Sequence, residues 1–283
     1  MNILQQLRSS TGRLYHAVNA RRTLSGLTGT NPQLATAMID AISGKTSEAE
    51  EAWIGRIEDL RRRLTASCEE LEITDYGAGS GDSHLTEEQM YRGRVIQRTI
   101  GEICTLTSRT ERTALLLFRL VRELKPRTCI ELGTSLGISA CYQAAALKLN
   151  GAGKLVTLEG ANSVASVATR NFAELALDNI EIVRGPFQDT LDGVLSSHPA
   201  VDYAFIDGHH DEAATIRYFN LFLPALTSNA VVVLDDIRWS DGMKSAWAAI
   251  RWHERVRVSV DLGSMGLIAM AGGSSPRHFS VVF

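Results

Sequence analysis

Two stretches of the chain compete for one chemical task. Residues 73–83 read ITDYGAGSGDS and residues 128–139 read TCIELGTSLGIS, and each offers the acid-and-glycine turn by which a nucleotide-binding α/β domain receives its cofactor. Such a turn works only where a buried strand delivers it and a helix N-terminus follows: glycines let the backbone approach the ligand, and the helix end supplies unpaired N–H donors. The second stretch has both, with the apolar TCIEL before Gly133 and Gly137 and a long apolar helical pattern after them. The first is preceded by SCEELE and followed by SHLTEEQ. It reads either as a loop between helices or as a flexible loop in which Asp75 and Tyr76 fold over a bound ligand. Further acids end other apolar runs: Glu159 in KLVTLEG, Asp207 in YAFIDGHHD, and Asp235 with Asp236 in AVVVLDDIR. The 28 residues from Asp207 to Asp235 are the length of one helix plus one strand, which brings both acids to the same rim of a parallel sheet.

The elements that must position these residues change in texture near residue 125. Before it the sequence is polar and charge-rich, with three Ser/Thr-x-x-Glu/Gln helix starts at Ser47/Glu50, Thr86/Gln89 and Ser108/Glu111. Three apolar faces at helical spacing follow them: Trp53, Ile57, Leu60 and Leu64; Ile96, Ile100 and Ile103; Leu116, Leu120 and Leu124. After Pro126, the strands TCIEL, KLVTLE, IEIVRG, YAFID and AVVVLDD alternate with helical stretches such as SACYQAAALKL and SVASVATRNFAEL. That alternation predicts a doubly wound, mostly parallel sheet with helices on both faces. VRVSVDL, GLIAMAG and HFSVVF have no long helices between them and predict a hairpin that closes the sheet edge.

The turn is not a dinucleotide fingerprint, because it has two glycines where GxGxxG needs three, and the next strand-end acid, Glu159, lies 26 residues past Gly133. The pattern resembles motif I of the class I S-adenosylmethionine-dependent methyltransferases, and the later strands resemble the branch holding the catechol and caffeoyl-CoA O-methyltransferases with their bacterial relatives. The resemblance covers roughly residues 110–283 and implies a seven-stranded Rossmann-like domain over 111–283, with residues 1–110 as a helical extension or cap. It assigns Glu131, Gly133, Ser135, Gly137 and Ser139 of the turn, together with Glu159, Gln188 and Asp207, to the cofactor. Glu159 suits the ribose because one carboxylate accepts hydrogen bonds from both vicinal hydroxyls. It also assigns Asp207, Asp235 and Asp236 to a divalent metal, for which Mg²⁺ suits three convergent oxygens. His210 stands three residues after Asp207, where relatives carry a lysine base, and an imidazole there could take a hydroxyl proton. The implied reaction is O-methyl transfer to a small hydroxylated acceptor; Met265 stands near where the catechol enzymes have an acid, which argues against a catechol.

Each residue also has a structural reading. Asp236 could cap the helix containing Met243 to Ile250, Gln188 could be a solvent-facing turn residue, and His210 could be structural; His209 and His210, being adjacent, cannot both point the same way. Trp239 and Trp252 read as packing residues, with Trp239 also able to wall a substrate pocket. A metal-independent N- or C-methyltransferase and a non-catalytic binder of the same fold are the rival functions. A net charge of −3 over 283 residues argues against a nucleic-acid binder, and the four cysteines have no CxxC spacing, as expected of a reducing, cytoplasmic setting. Cys129 and Cys141 fall in core-like runs. No stretch reads as a membrane span or signal peptide, so no stable membrane association is expected, and a homodimer is compatible with the sequence. Residues 1–39 carry Arg8, Arg13, Arg21 and Arg22 but no acid. They read as a frayed helical leader, with a transit peptide or a basic membrane-surface helix as alternatives.

Overall fold

The computed structural model describes residues 23–77 and 86–281. The arginines of the leader and positions 78–83 of the first glycine stretch lie outside those residues. Before the main sheet come helices α1 (Pro32–Ser43) and α2 (Glu48–Thr65), a hairpin of β1 (Glu70–Asp75) and β2 (Arg94–Thr99) with α3 (Glu87–Arg92) between its strands, then α4 (Ile100–Thr107) and α5 (Glu111–Leu124). Strand and helix then alternate: β3 (Thr128–Leu132), α6 (Ile138–Asn150), β4 (Lys154–Glu159), α7 (Asn162–Glu174), β5 (Ile180–Arg184), α8 (Phe187–Ser197), β6 (Val201–Ile206), α9 (Glu212–Phe222), β7 (Leu226–Leu234) and α10 (Asp241–Arg251). Strands β8 (Val258–Asp261), β9 (Gly266–Ala269) and β10 (Arg277–Ser280) finish the chain.

The sheet order is β10-β8-β9-β7-β6-β3-β4-β5. Strands β3 to β7 are mutually parallel, and β9 runs antiparallel to both β7 and β8. The seven strands of the Rossmann-like methyltransferase arrangement are present, and β10 adds an eighth, parallel to β8, beyond the expected hairpin. The period of two along each strand divides the core in two. Cys129, Tyr203, Phe205, Val231 and Val233 face one cluster, whereas Ile130, Leu132, Ala204, Ile206 and Val232 face the other. Burial on both faces explains why these strands read as unbroken apolar runs. The first cluster includes Leu34, Met38, Ile57 and Leu60 of the N-terminal helices, so the extension is built into the core of the sheet domain.

The helix starts are set by side chains. Ser47/Glu50 and Thr86/Gln89 form reciprocal capping boxes as expected, and Thr99/Glu102 forms a third. The Ser108/Glu111 start is shifted: Thr110 caps α5, and Ser108 ends α4. Ile96 belongs to a strand rather than to a helix with Ile100 and Ile103. ELEITD and RVIQRT pair in register from Glu70↔Thr99 to Asp75↔Arg94, so the extension is not wholly helical. Asp236 is not a helix cap, because α10 is capped by Ser240, whose hydroxyl accepts the Met243 N–H at 3.1 Å. Cys104, Cys129 and Cys141 are buried and Cys68 is exposed.

Glu50 does two jobs. It closes the α2 capping box, and its Oε1 receives Arg119 Nη1 at 2.9 Å and Arg122 Nε at 3.0 Å from α5. Arg119 is 4% exposed, so Glu50→Ala would strand a buried guanidinium and is expected to cost about 3 kcal/mol in urea unfolding. Glu131 lies on the same face of β3 as Cys129, beneath α6, and accepts Gln143 Nε2 at 2.7 Å and the Thr157 hydroxyl at 2.6 Å. Burial pushes its carboxyl from 4.5 up to about 7, against the lowering effect of those hydrogen bonds. The folded state therefore keeps a proton that the unfolded chain releases, and this contribution is lost as pH rises through that window. Wild-type stability should fall by up to about 3 kcal/mol more than that of Glu131→Gln as pH rises from 4.5 to 7; parallel pH profiles of urea unfolding would contradict it.

Candidate active site

The chain runs outward from β3 to β5 and returns to place β6 beside β3, so the sheet switches direction between Leu132 and Ile206. A crevice opens there at the carboxyl ends of parallel strands, and it holds a cavity of about 760 Å³. Gly133 turns the chain at φ 98°, and a Cβ on it would lie 1.8 Å from the Asp207 carbonyl oxygen, so only glycine fits. Gly137, at φ 85°, abuts Phe172 and starts α6 without a side-chain cap. The first-turn N–H groups of α6 are thus left for water or a ligand, and Ile138 and Ser139 line the cavity.

Glu159 is aimed by the backbone. Its Oε2 accepts the Ser135 N–H at 2.8 Å and its Oε1 the Ala161 N–H at 2.9 Å. Burial raises its pKa, opposed by these N–H donors. Each oxygen keeps a lone pair for a hydroxyl in the cavity. Ser135 itself is held at φ 47°, and its hydroxyl lies 2.6 Å from that of Thr107 at the end of α4.

Across the cavity the ends of β6 and β7 bring acids together. Asp236 is held at φ 51°, and its N–H donates to Asp235 Oδ1 at 2.7 Å. His209 and His210 are also left-handed, at φ 64° and 51°. Three such non-glycine residues at one rim mark a site whose side-chain directions are imposed by the fold. The two histidines diverge as adjacency requires. His209 is buried against Phe187, with Nδ1 3.0 Å from the Tyr218 hydroxyl. Burial and the nearby Arg217 push its pKa down to about 4, so it is neutral. His210 Nε2 lies 3.8 Å from Asp207 Oδ1, and its Nδ1 3.7 Å from Asp236 Oδ2.

The cation among these acids comes from the link between α4 and α5. Arg109 Nε pairs with Asp235 Oδ2, and Nη2 lies 2.7 Å from Asp236 Oδ2 and 3.6 Å from Asp207 Oδ1. Burial raises the pKa of Asp207, opposed chiefly by Arg109 and His210. It raises that of Asp235 well above the ordinary value, with Asp207 adding to the effect and Arg109 opposing it. Against burial, the three carboxylates raise the Arg109 pKa further above its already high value. Asp207, His210 and Asp236 can each offer a ligand atom within 4.8 Å of the others. However, Asp207 Oδ1 and Asp236 Oδ2, the oxygens nearest His210, are the ones that Nη2 approaches. Asp235 is fully buried behind them and committed to Arg109. As arranged, the acids fit a guanidinium and not a divalent ion.

The extension supplies the opposite wall. Tyr76 lies across Gly160, beside Glu159, and Asp75 pairs with Arg94 at 3.0 Å while accepting the Gly77 N–H at 2.9 Å. Asp75, Tyr76, Ile73 and Ile96 of the hairpin all line the cavity, and so does Trp239, which stays 46% exposed beside His210. Trp252, expected to pack inside, is 65% exposed and rests on His278.

Of the residues singled out in the sequence, Gly133, Ser135, Ser139, Glu159, Asp207, Asp236 and His210 converge on this cavity. Three do not. Glu131 is enclosed behind the turn, Asp235 beneath the rim, and Gln188 lines a smaller neighbouring cavity with Tyr91, His209 and Arg217. Arg109 was not legible, because it is an ordinary basic residue in a TSRT link, 98 to 127 residues from its partners.

Comparison with known proteins agrees with this fold. A protein-family profile described as a methyltransferase domain matches residues 130–237. No curated protein matches the sequence. Among solved structures, a methyltransferase from Podospora anserina bound to S-adenosylhomocysteine is 17% identical, with a TM-score of 0.51 over 57% of this chain and 79% of its own. The O-methyltransferase from Bacillus cereus, also with S-adenosylhomocysteine, is 22% identical, with a TM-score of 0.50 over 58% and 83%. The O-methyltransferase TomG from Streptomyces achromogenes, involved in tomaymycin synthesis and solved with S-adenosylmethionine, is 22% identical, with a TM-score of 0.50 over 59% and 82%. Residues 130–237 therefore match a methyltransferase domain, within a chain that shares the Rossmann-like fold of these solved methyltransferases.

Proposed function

We propose that this protein transfers a methyl group from S-adenosylmethionine to a hydroxyl of a small-molecule acceptor. The observation that carries the reading is a single cavity with Glu159 fixed on one side by two backbone N–H groups and His210 between Asp207 and Asp236 on the other. In this reading residues 111–283 are the catalytic domain and residues 1–110 its cap, whose hairpin and Tyr76 wall the cavity beside Glu159.

The cofactor supplies an electrophilic sulfonium carbon, so the protein has to hold an acceptor in line behind it and remove a proton. Glu159 takes the ribose hydroxyls, and the Gly133–Ser139 turn with the α6 N-terminus takes the methionine part. The acceptor oxygen forms the new bond to carbon as the carbon–sulfur bond breaks and its electron pair passes to sulfur. His210 receives the hydroxyl proton at Nε2, since Nδ1 is enclosed by protein. The imidazolium so formed lies beside Asp207 and Asp236, which stabilise it electrostatically. Asp75, Tyr76 and Trp239 limit water around the sulfonium. The divalent ion implied by the catechol-type branch has no part here, because Arg109 stands against its ligand oxygens.

Titration calorimetry should detect S-adenosylmethionine and S-adenosylhomocysteine, with Glu159→Ala weakening both by about 1.5 to 3 kcal/mol through loss of charge-assisted bonds. His210→Ala should lower turnover with hydroxylated acceptors by about 10²- to 10⁴-fold while leaving S-adenosylhomocysteine affinity unchanged. Tighter binding of NAD than of either ligand would contradict the cofactor assignment, and transfer only to amines would move the acceptor from oxygen to nitrogen.

A further inference from the structure

We propose that Arg109 is the built-in cation of this site, taking the place that a divalent metal would hold and making methyl transfer metal-independent. Three carboxylates converge at the ends of β6 and β7, and one guanidinium reaches all of them: Nε to Asp235, Nη2 to Asp236 at 2.7 Å and to Asp207 at 3.6 Å. A magnesium ion needs nearly octahedral oxygen ligands at about 2.0 to 2.1 Å, and Nη2 fills the space between the two oxygens that would provide them. A guanidinium differs from a bound ion in two ways that matter here. It cannot be lost to dilution or chelation, and its planar fork of donors is matched to several carboxylates at once.

The delivery of Arg109 is itself built. Its backbone carbonyl accepts Arg61 Nη1 of α2 at 2.5 Å; Arg61 Nε pairs with Glu58 at 2.9 Å, and Glu58 accepts the Tyr142 hydroxyl of α6 at 2.7 Å. Two residues earlier, Thr107 meets Ser135 of the cofactor turn at 2.6 Å. The link between α4 and α5 is thus clamped to the helix behind the turn and to the turn itself, and Arg109 projects from it to line the cavity. Asp235, fully buried, has this guanidinium as its charge partner; without it, three like charges would share one rim and would draw a cation from solution. In the transfer, the fixed positive charge lies beside Asp207 and Asp236, the two acids that flank His210, and it favours the negative charge that develops on the acceptor oxygen.

Exclusion of metal by Arg109 does not depend on the proposed reaction, and the test separates the two. Chelator-washed wild-type protein titrated with Mn²⁺ and followed by electron paramagnetic resonance should show no specific site, whereas Arg109→Ala should gain one equivalent bound at least about tenfold more tightly. Asp236→Asn added to that variant should remove the gained site. Arg109→Lys keeps a positive charge and should bind no Mn²⁺, which controls for refolding; retained S-adenosylhomocysteine binding reports the fold of each variant. One tight equivalent in the wild type, or none in a folded Arg109→Ala, would overturn the proposal. Turnover of the wild type should be unchanged in chelator, and its abolition there with cofactor binding intact would also overturn it. Absence of methyl transfer under every condition would instead contradict the function proposed above and leave the Mn²⁺ titration to decide the role of Arg109.

Discussion

Like charges at the rim of a parallel sheet must be compensated, and in this protein Arg109 does it. Asp207, Asp235 and Asp236 are brought together by the fold: parallel β6 and β7 end side by side, with Ile206 paired to Leu234. Their carboxylates cannot all stay ionised in a partly buried site unless a cation lies among them. Arg109 comes from the opposite end of the chain topology, in the link that joins the extension to the sheet domain. One ion-pair cluster therefore decides how the rim is charged and ties the link before α5 to the ends of β6 and β7.

That constraint explains why the extension shares the core of the domain. Leu34 and Met38 of α1 and Ile57 of α2 lie in the same cluster as Leu116 of α5 and Tyr142 of α6, and the buried Glu50–Arg119 pair fixes α2 against α5. A cap that supplied a charge to the rim while sliding over the surface could not hold it within ion-pair distance of three acids. Seated in the core, the same segment also sets the hairpin of β1 and β2 against α7, where the Ser163 hydroxyl donates to the Glu72 carbonyl at 2.6 Å. The hairpin wall of the cavity and the rim charge thus come from one continuous stretch of chain.

The sheet domain was legible because its signals are local and strong. Strands buried on both faces read as apolar runs, the glycine turn stood between a strand and a helix, and the adjacent histidines diverged as two neighbouring side chains must. The extension was harder to read. Ile96, Ile100 and Ile103 have helical spacing, but the spacing spans a junction: RVIQRT pairs with ELEITD, whose alternation of charged and apolar residues is a strand signal hidden by its acidity. Ser108 and Thr110 both resemble helix caps, and the choice between them depends on where α4 ends. Glu131 looked like a cofactor ligand because it precedes the turn, yet the period of two sends it beneath α6. Gln188 follows a glycine turn but lines the neighbouring cavity. Arg109 had no local signal, since what defines it is three partners more than 90 residues away.

The most direct test of this account is a crystal structure of the wild-type protein grown with S-adenosylhomocysteine and MnCl₂, with anomalous data collected at the manganese edge. The account predicts the ligand in the switch-point cavity with its ribose on Glu159, the Arg109 guanidinium between Asp235 and Asp236, and no anomalous peak among the three carboxylates. A manganese peak bound by Asp207 and Asp236, with Arg109 displaced, would contradict it.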